Sequence, residues 1–366
     1  MDEKLKQVCA AFRLPGTYLG YESIQVGNVN RTYKVNFLLE DGREKSFLVQ
    51  NVNTYAFRNP IGLMNNIDLV TEHIRGKNPE KLSLHFHHTA ERKTYLVDGD
   101  NFWRVMNYVR SANYSATKDP VILRNAGRAF GEFQTQLADF NIGLLVETIP
   151  GFHNTRSRYE SLDEAISQDA AGRVKEVREE IAYIQSIRDM ACTLTDLGRE
   201  GRLPLRVTHN DTKINNVLFD QETNEALVVI DLDTVMPGLM GHDFGDAIRF
   251  AANFAAEDSP DYDRVGIDLN VFQAFAQGFL EKTGDTMTQT ELDTLAVSCV
   301  CLTAELVVRF LEDYLRGDKY FKTLYPEHNL VRTRNQIALC RDMIAHLDEM
   351  DAMIHRWALG QVFPKA

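Results

Sequence analysis

The texture of this chain changes once, close to residue 107, and that change restricts the folds open to it. Before it, two extended apolar runs, Val35–Leu39 and Ser46–Val49, flank Asp41-Gly42. An Asp-Gly pair between alternating strands supplies the positive φ angles that a tight hairpin demands. Thr94–Val97 and Phe102–Val105 repeat the pattern around Asp98–Asp100. Between the hairpins, apolar residues at 61, 64, 67, 70 and 74 follow Asn59-Pro60, the spacing and start signal of a helix. Beyond Tyr108 the period becomes helical and predicts helices over Val121–Phe140, Leu162–Ile187, Val271–Phe279, Leu292–Leu315 and Asn335–Trp357. Only one strand pair, around residues 217–231, interrupts them. Hairpins followed by helices predict an α+β fold of two unequal lobes. Residues 1–107 form a small antiparallel sheet with one helix laid on it, and residues 108–366 form a larger, mainly helical lobe.

Composition narrows the function. With 366 residues, 44% hydrophobic and 25% charged, the chain is neither disordered nor collagen-like, and it has apolar material for two cores. Lys and Arg number 40 against 52 Asp and Glu, a net charge of −12, which disfavours a nucleic-acid partner. That balance suits a small-molecule enzyme and tolerates cations. The five cysteines, at 9, 192, 299, 301 and 340, are odd in number and scattered, and are read as reduced and buried. The first residues are charged rather than a signal-like apolar run, and no window reaches the ~20 consecutive apolar residues of a membrane span. A cytoplasmic protein with no membrane partner is expected. Alternating charges over residues 160–190 are read as a solvated helical face.

The chemistry concentrates in Val207–Asp233, where polar residues sit between apolar runs. His209, Asp211 and Asn216 have the H-x-D-x-x-x-x-N spacing of a kinase catalytic loop. If Asn216–Asp220 and Ala226–Asp231 pair as a hairpin around a five-residue turn, Asp220 faces Ala226, and Asn216 faces Ile230 beside Asp231. An amide oxygen and a carboxylate then converge at the open end, the hard donors that Mg²⁺ takes along with phosphate oxygens and water. Asp211 hangs over the same end and can receive the proton of an attacking hydroxyl. Alone, Asp211 would be an ordinary turn cap and Asp231 an ordinary strand end. Three such residues at these separations point to phosphoryl transfer.

Thr208–Asp220, together with Val229–Gly238, resembles the aminoglycoside phosphotransferase/choline kinase superfamily. More narrowly, the chain resembles its N-acetylhexosamine 1-kinase branch, through Gly27–Tyr33, Phe57–Pro60, Trp103–Met106, Ile149–His153 and Arg309–Leu315. The resemblance implies a protein-kinase-like bilobal fold with ATP between the lobes and Mg²⁺ as cofactor. It implies Asp211 as catalytic base and Asn216 and Asp231 as metal ligands. Gly27, Asn28 and Arg31 would belong to a loop over the phosphates, and Met106 to Tyr108 to a hinge that hydrogen-bonds adenine. Asp233 would touch metal or substrate, with structural hydrogen bonding as its competing role. His209 would buttress the loop, and Asp243, Asp246 and Arg249 would tie a helix start to it. Arg309, Tyr314 and Tyr320 would contact the acceptor, with ordinary helix packing as the equal competing role of the two tyrosines and Phe152 and His153 as further candidates. There is one departure: Gln50 stands where the third strand of most kinases carries Lys, and Glu72 on the next helix has no evident partner. Either Arg31 or Lys34 supplies the missing charge, or nucleotide affinity is weaker. The expected activity is transfer of the ATP γ-phosphate to the anomeric hydroxyl of an N-acetylhexosamine. A kinase for another alcohol, such as an aminoglycoside or amino alcohol, is the alternative. A catalytically dead nucleotide-binding or scaffold protein is a third reading, favoured only by Gln50.

Overall fold

The computed structural model describes residues 1–24 and 29–358. The chain opens with helix α1 (Asp2–Ala11), followed by β1 (Thr17–Ile24), β2 (Arg31–Leu38), β3 (Glu44–Val52), α2 (Pro60–Lys77), β4 (Leu96–Asp98) and β5 (Asn101–Asn107). The strands form one antiparallel sheet in the order β1-β2-β3-β5-β4. Because side chains alternate along a strand, each face has its own job. Tyr33, Val35, Phe37, Phe47, Val49, Trp103 and Val105 cover one face and pack on Leu5 and Val8 of α1 and on Phe12 just after it. Val52, Phe102 and Met106 line the opposite face, against Leu63, Met64 and Ile67 of α2. Asn59 caps α2 by accepting from the Gly62 amide at 3.0 Å, with Pro60 in the first turn. Neither α1 nor β1 was expected; the charges of the first residues share α1 with an apolar stripe of Leu5, Val8 and Cys9.

The larger lobe contains α3 (Pro120–Gln136), α4 (Thr155–Gln168), α5 (Arg178–Ser186), α6 (Arg188–Ala191) and α7 (Thr193–Arg199). Four short strands follow: β6 (Arg206–Thr208), β7 (Val217–Phe219), β8 (Ala226–Val229) and β9 (Met236–Gly238). The chain continues through α8 (Met240–Ala251), α9 (Leu269–Thr283), α10 (Gln289–Leu315), α11 (His328–Ala345) and α12 (Leu347–Ala358). Helix α10 has the length and hydropathy of a membrane span, yet its apolar window is 89% buried inside the molecule, where α4, α8, α11 and α12 surround it. Helices α3 and α9 approach to backbone contact, since a Cβ at Gly127 or Gly278 would overlap a carbonyl of the other helix. The α+β architecture, a five-stranded antiparallel sheet beside a mainly helical lobe, is the one expected.

Three local expectations are corrected. The helix expected over residues 162–187 breaks after Gln168, where Asp169 (φ 40°) and Gly172 (φ 70°) turn the chain into a 3-10 turn, Val174–Glu176, before α5. The helix expected over 335–357 is two, α11 and α12, separated at His346. A second strand pair, β6 with β9, accompanies β7 with β8. All five cysteines are buried and free. Asn66 of α2, 1% exposed, fastens the two lobes: its Nδ2 donates to the carbonyls of Val146 (2.8 Å) and Val235 (2.9 Å), and its Oδ1 accepts from the Val146 amide.

Candidate active site

Pairing of Thr208 with Met236 between β6 and β9 brings the 209–216 loop alongside residues 230–235. His209 braces that loop. Its Nδ1 accepts from the Asp211 amide (3.2 Å), and its Nε2 donates to the Ile230 carbonyl (2.8 Å). The Asp243 carboxylate accepts the amides of His209 (3.0 Å) and Asn210 (2.8 Å) and Nε2 of Gln134 (2.5 Å). Burial pushes the Asp243 carboxyl upward against the pull of those donors and of His209. Asp246 accepts the Thr212 amide (3.1 Å) and pairs with Arg249 (2.9 Å). Burial opposes the charge on Asp246, but Arg249 and Lys213 outweigh it and hold the carboxyl below its usual range. Asp243 and Asp246 thus tie the helix start to the loop, whereas Arg249 bonds to Asp246, Glu257 and Gln336 and reaches the loop only through Asp246.

Asp211 projects from this frame with its side chain 31% exposed. Its Oδ1 lies 2.8 Å from Nζ of Lys213, and Oδ2 accepts from Nδ2 of Asn216 at 3.2 Å. The same Nδ2 donates to the Asp211 carbonyl (2.8 Å), so the Asn216 amide group is spent and its Oδ1 remains for another partner. Asn216 stands opposite Ile230 as expected, with the Ile230 amide on the Asn216 carbonyl at 2.8 Å. Val217 pairs with Val229 and Leu218 with Val228. The register then slips: Phe219 pairs with Ala226, and Asp220 receives Glu225 rather than Ala226. Leu227 is the extra, bulged residue, and the turn shortens to four residues, with Asp220 Oδ1 accepting the amides of Glu222 and Thr223.

Asp231 leaves β8 in the left-handed region (φ 60°), which turns its carboxylate out of the hairpin. Protein crowds it, while the carboxylate keeps an opening to water. Desolvation comes first among the influences on it, followed by the charges of Asp233 and Asp211, and together they push the carboxyl up to about 6. The opening limits how far desolvation can act, so the neighbouring carboxylates carry much of that direction. A carboxylate facing two other carboxylates is a site that a divalent cation relieves. Among the described residues no cluster of three or more His, Cys, Asp or Glu has metal-binding geometry. The two oxygen donors, Asn216 Oδ1 and the Asp231 carboxylate, therefore fit a hard cation that takes its other ligands from phosphate and water.

Asp233 is not free for substrate. It is 3% exposed, with Oδ1 bonded to Nη1 of Arg104 and Oδ2 to Nδ2 of Asn30 (2.7 Å), so it clasps the sheet to the catalytic loop. Gln50, half-buried on β3, accepts from Nε of Arg104 (2.8 Å) and donates to Thr32 Oγ1 (3.0 Å). Glu72 finds Arg75 and, at 3.8 Å, His85. Lys34 lies 3.4 Å from Glu22 and over the Tyr108 ring, and Arg31 is exposed at the start of β2. Gly27 and Asn28 lie outside the described residues. The hinge expected at Met106 to Tyr108 has its donors engaged: Met106 pairs with Leu48, the Asn107 amide reaches His85 O (3.2 Å), and the Tyr108 amide reaches Ser46 O (3.3 Å). Those amides hold the sheet together and are not offered to a base.

The acceptor candidates divide. Tyr314 is 2% exposed, its hydroxyl on Glu176 (3.1 Å) and its ring under Arg173, so it is a core residue and not a sugar contact. Arg309 and Tyr320 do share a cavity of about 420 Å³ with Arg158, Arg316 and Phe321. A neighbouring cavity of about 290 Å³ is lined by Phe152, His153, His242 and Asn210, the residue before Asp211. Phe152 stands between them, its ring 5.4 Å from the Arg309 guanidinium. No described contact joins Arg309 or Tyr320 to Asp211. Two buried nitrogens in this region, Arg158 Nε and His153 Nε2, have no hydrogen-bond partner among the described residues. Lys213, Arg104 and Arg158 escaped the sequence reading. Arg104 had a signal, a lone charge inside the apolar run Phe102–Met106.

The profile of the phosphotransferase enzyme family (APH) matches residues 65–275, more than half of the chain. The chain belongs to this family. Its members are ATP-dependent alcohol kinases, and the chain is accordingly a small-molecule phosphotransferase. Solved structures share the fold. A microcompartment-associated aminopropanol kinase is 14% identical, with a TM-score of 0.63 over 96% of this chain and 99% of that one. The choline kinase of Cryptosporidium parvum is 13% identical, with a TM-score of 0.58 over 98% and 99%. An amicoumacin kinase in complex with AMP-PNP, Ca²⁺ and its acceptor is 13% identical, with a TM-score of 0.54 over 100% and 96%.

Proposed function

We propose that this phosphotransferase moves the γ-phosphate of ATP onto the anomeric hydroxyl of an N-acetylhexosamine, with Asp211 as base. The observation that carries the reading is the convergence of Asp211, Lys213 and Asn216 at the end of the β7–β8 hairpin, beside Asp231. As the acceptor oxygen bonds to phosphorus and the bond to the β-phosphate breaks, Asp211 takes the hydroxyl proton. Lys213, held at 2.8 Å from that carboxylate, is a cation placed to meet the transferring group. Asn216 and Asp231 would hold Mg²⁺, which when bound neutralises phosphate charge. The amicoumacin kinase, solved in complex with AMP-PNP and Ca²⁺, supports this reading.

Charge supports this choice of acceptor. The Arg309–Tyr320 cavity brings Arg158, Arg309, Arg316 and Lys319 together with two carboxylates, of which Asp313 is already taken by the amides of residues 319–321 and Glu312 by Arg316 and Ser161. A polycationic aminoglycoside would meet like charge there, whereas a neutral polyol meets donors, including the unpartnered Arg158 Nε. Together with the sequence resemblance, this favours a sugar over an amino alcohol. The sheet lobe, residues 1–107, would cover the nucleotide, and residues 108–366 would supply the acceptor side. Release of ADP should be measured against a panel of N-acetylhexosamines, aminoglycosides, amino alcohols and no acceptor. Turnover with an N-acetylhexosamine, giving a product whose phosphorus couples to the anomeric proton, supports the assignment. Turnover of aminoglycosides alone, or phosphate on O6, overturns the acceptor and leaves the phosphotransferase standing.

A further inference from the structure

We propose that Arg104, on β5, is the cation that binds the nucleotide's phosphates, in the place held in most kinases by a lysine on the third strand. The proposal rests on the reading of the interlobe cleft as the nucleotide site. Thr32, Gln50 and Arg104 are register partners across β2, β3 and β5 and form one polar row on the sheet face opposite α1. Gln50 uses both ends of its amide: Nε2 donates to Thr32 Oγ1 (3.0 Å) and Oε1 accepts from Arg104 Nε (2.8 Å). Directly opposed Cβ atoms lie ~4.5–5.5 Å apart, so a lysine at position 50 would set a second cation against the guanidinium. A neutral acceptor is what Arg104 requires there. The departure at Gln50 and the buried arginine are thus one feature: the charge has moved one strand across the sheet.

The guanidinium is only partly committed. Nε is taken by Gln50 and Nη1 by Asp233, with the Met64 sulfur 3.8 Å away, while Nη2 has no hydrogen bond to any described residue. Asp233 follows Asp231 by two residues, so this open donor stands next to the pair proposed to hold the metal and its phosphates. Arg104 is 2% exposed, so it sheds little water when a phosphate arrives, and its planar fork suits phosphate oxygens. No other described basic residue reaches this row: Lys34 is turned to Glu22 and Tyr108.

Titration calorimetry with adenosine, Mg·ADP and Mg·ATP separates a phosphate contact from a structural one. Arg104→Gln should weaken Mg·ATP by about 10- to 100-fold, the range of a charge-assisted hydrogen bond. Adenosine affinity should stay at the wild-type value. Adding Gln50→Lys to that variant restores the cation on the neighbouring strand and should recover most of the Mg·ATP affinity. Unchanged Mg·ATP binding by Arg104→Gln, an equal loss for adenosine, or no recovery in the folded double variant overturns the proposal. If Arg104→Gln does not fold, Gln50→Ala, which keeps the ion pair with Asp233, carries the test. It should weaken Mg·ATP several-fold and leave adenosine unchanged, and equal affinities overturn the proposal. A wild type that binds no nucleotide overturns the cleft assignment itself, a result distinct from all of these.

Discussion

Nζ of Lys213 stands 2.8 Å from Oδ1 of Asp211, two residues apart on a loop whose backbone is pinned by Asp243 and Asp246. Burial works against the lysine's charge, but Asp211 and Asp246 overcome it and hold the ammonium above its usual range. The base therefore carries its own counterion, and a γ-phosphate entering the cleft would compete for that lysine. Asp211→Asn should lower kcat by several orders of magnitude and leave Mg·ATP affinity little changed, because the carboxylate acts mainly as the acceptor oxygen attacks. Steady-state kinetics alongside calorimetry check this; lost ATP binding without a specific defect in kcat would remove Asp211 from the role of base.

Asp231 is tested through the metal. Asp231→Asn preserves the shape and tolerates the left-handed backbone at φ 60°, so the fold should survive. A carboxamide is a far poorer partner for a divalent ion than a carboxylate, so the variant should need much more Mg²⁺ and bind ATP with little response to it. A Mg²⁺ titration of ATP affinity decides the matter, and identical curves for variant and wild type would place the metal elsewhere.

Much of this site could be read from spacing. Asn216 lies opposite Ile230 because alternation fixes which residues of a two-stranded ribbon share a face. The bulge at Leu227 could not be read, since every residue from Ala226 to Ile230 is apolar and the run has no alternation for an extra residue to break. Tyr314 misled for a related reason: on a helix buried on nearly every side, like α10, the sequence shows no polar face against which a ligand-facing residue stands out. Asp233 was legible as a second acid near the metal, but its capture by Arg104 and Asn30 joins residues 129 and 203 positions away. Arg104 itself required knowing which strand neighbours β3 in space.

A pH-dependent stability follows from His242. It is 8% exposed at the start of α8, facing His153 with ring centroids 4.8 Å apart and Glu305 beyond, and its Nδ1 accepts from the Leu239 amide (3.3 Å). Burial, then the neighbouring His153, pushes it down to about 3, and Glu305 only partly offsets this. Below an unfolded value near 6.5 the unfolded chain takes up a proton that the folded chain refuses, so stability falls as pH drops from about 6.5 toward 3. The slope approaches ~1.4 kcal/mol per pH unit for one proton. Glu305, pulled down to about 2 by His153 and Arg309 against burial, loses its own contribution only below about 4.5. Denaturant unfolding between pH 6.5 and 5 excludes Glu305, and comparison with a variant separates His242 from Asp231, which is pushed up to about 6 and changes charge in the same window. His242→Asn, which retains an acceptor for the Leu239 amide, should be flatter there; parallel profiles would show that His242 is not the group refusing the proton.

Arg309 offers the sharpest test of the acceptor. Its guanidinium lies against Phe152 (5.4 Å), Phe321 (5.5 Å) and Tyr320 (6.0 Å), and 4.0 Å from Glu305, with 11% of the side chain exposed. These contacts fix the group at the wall between the two cavities, where it can orient a hydroxylated ring whose reactive oxygen reaches toward Asp211. Pockets discriminate poorly between polyols by shape alone, by only ~10², so hydrogen-bond donors must set the choice. Arg309→Ala should raise the sugar KM at least tenfold, on the order of one charge-assisted hydrogen bond, and leave the ATP KM near its wild-type value. Arg309→Lys keeps the charge but loses the planar fork, and should recover only part of the loss. If both KM values rise together, the arginine is holding α10 against the 151–154 loop, and the acceptor must be sought in the Asn210–His242 cavity instead.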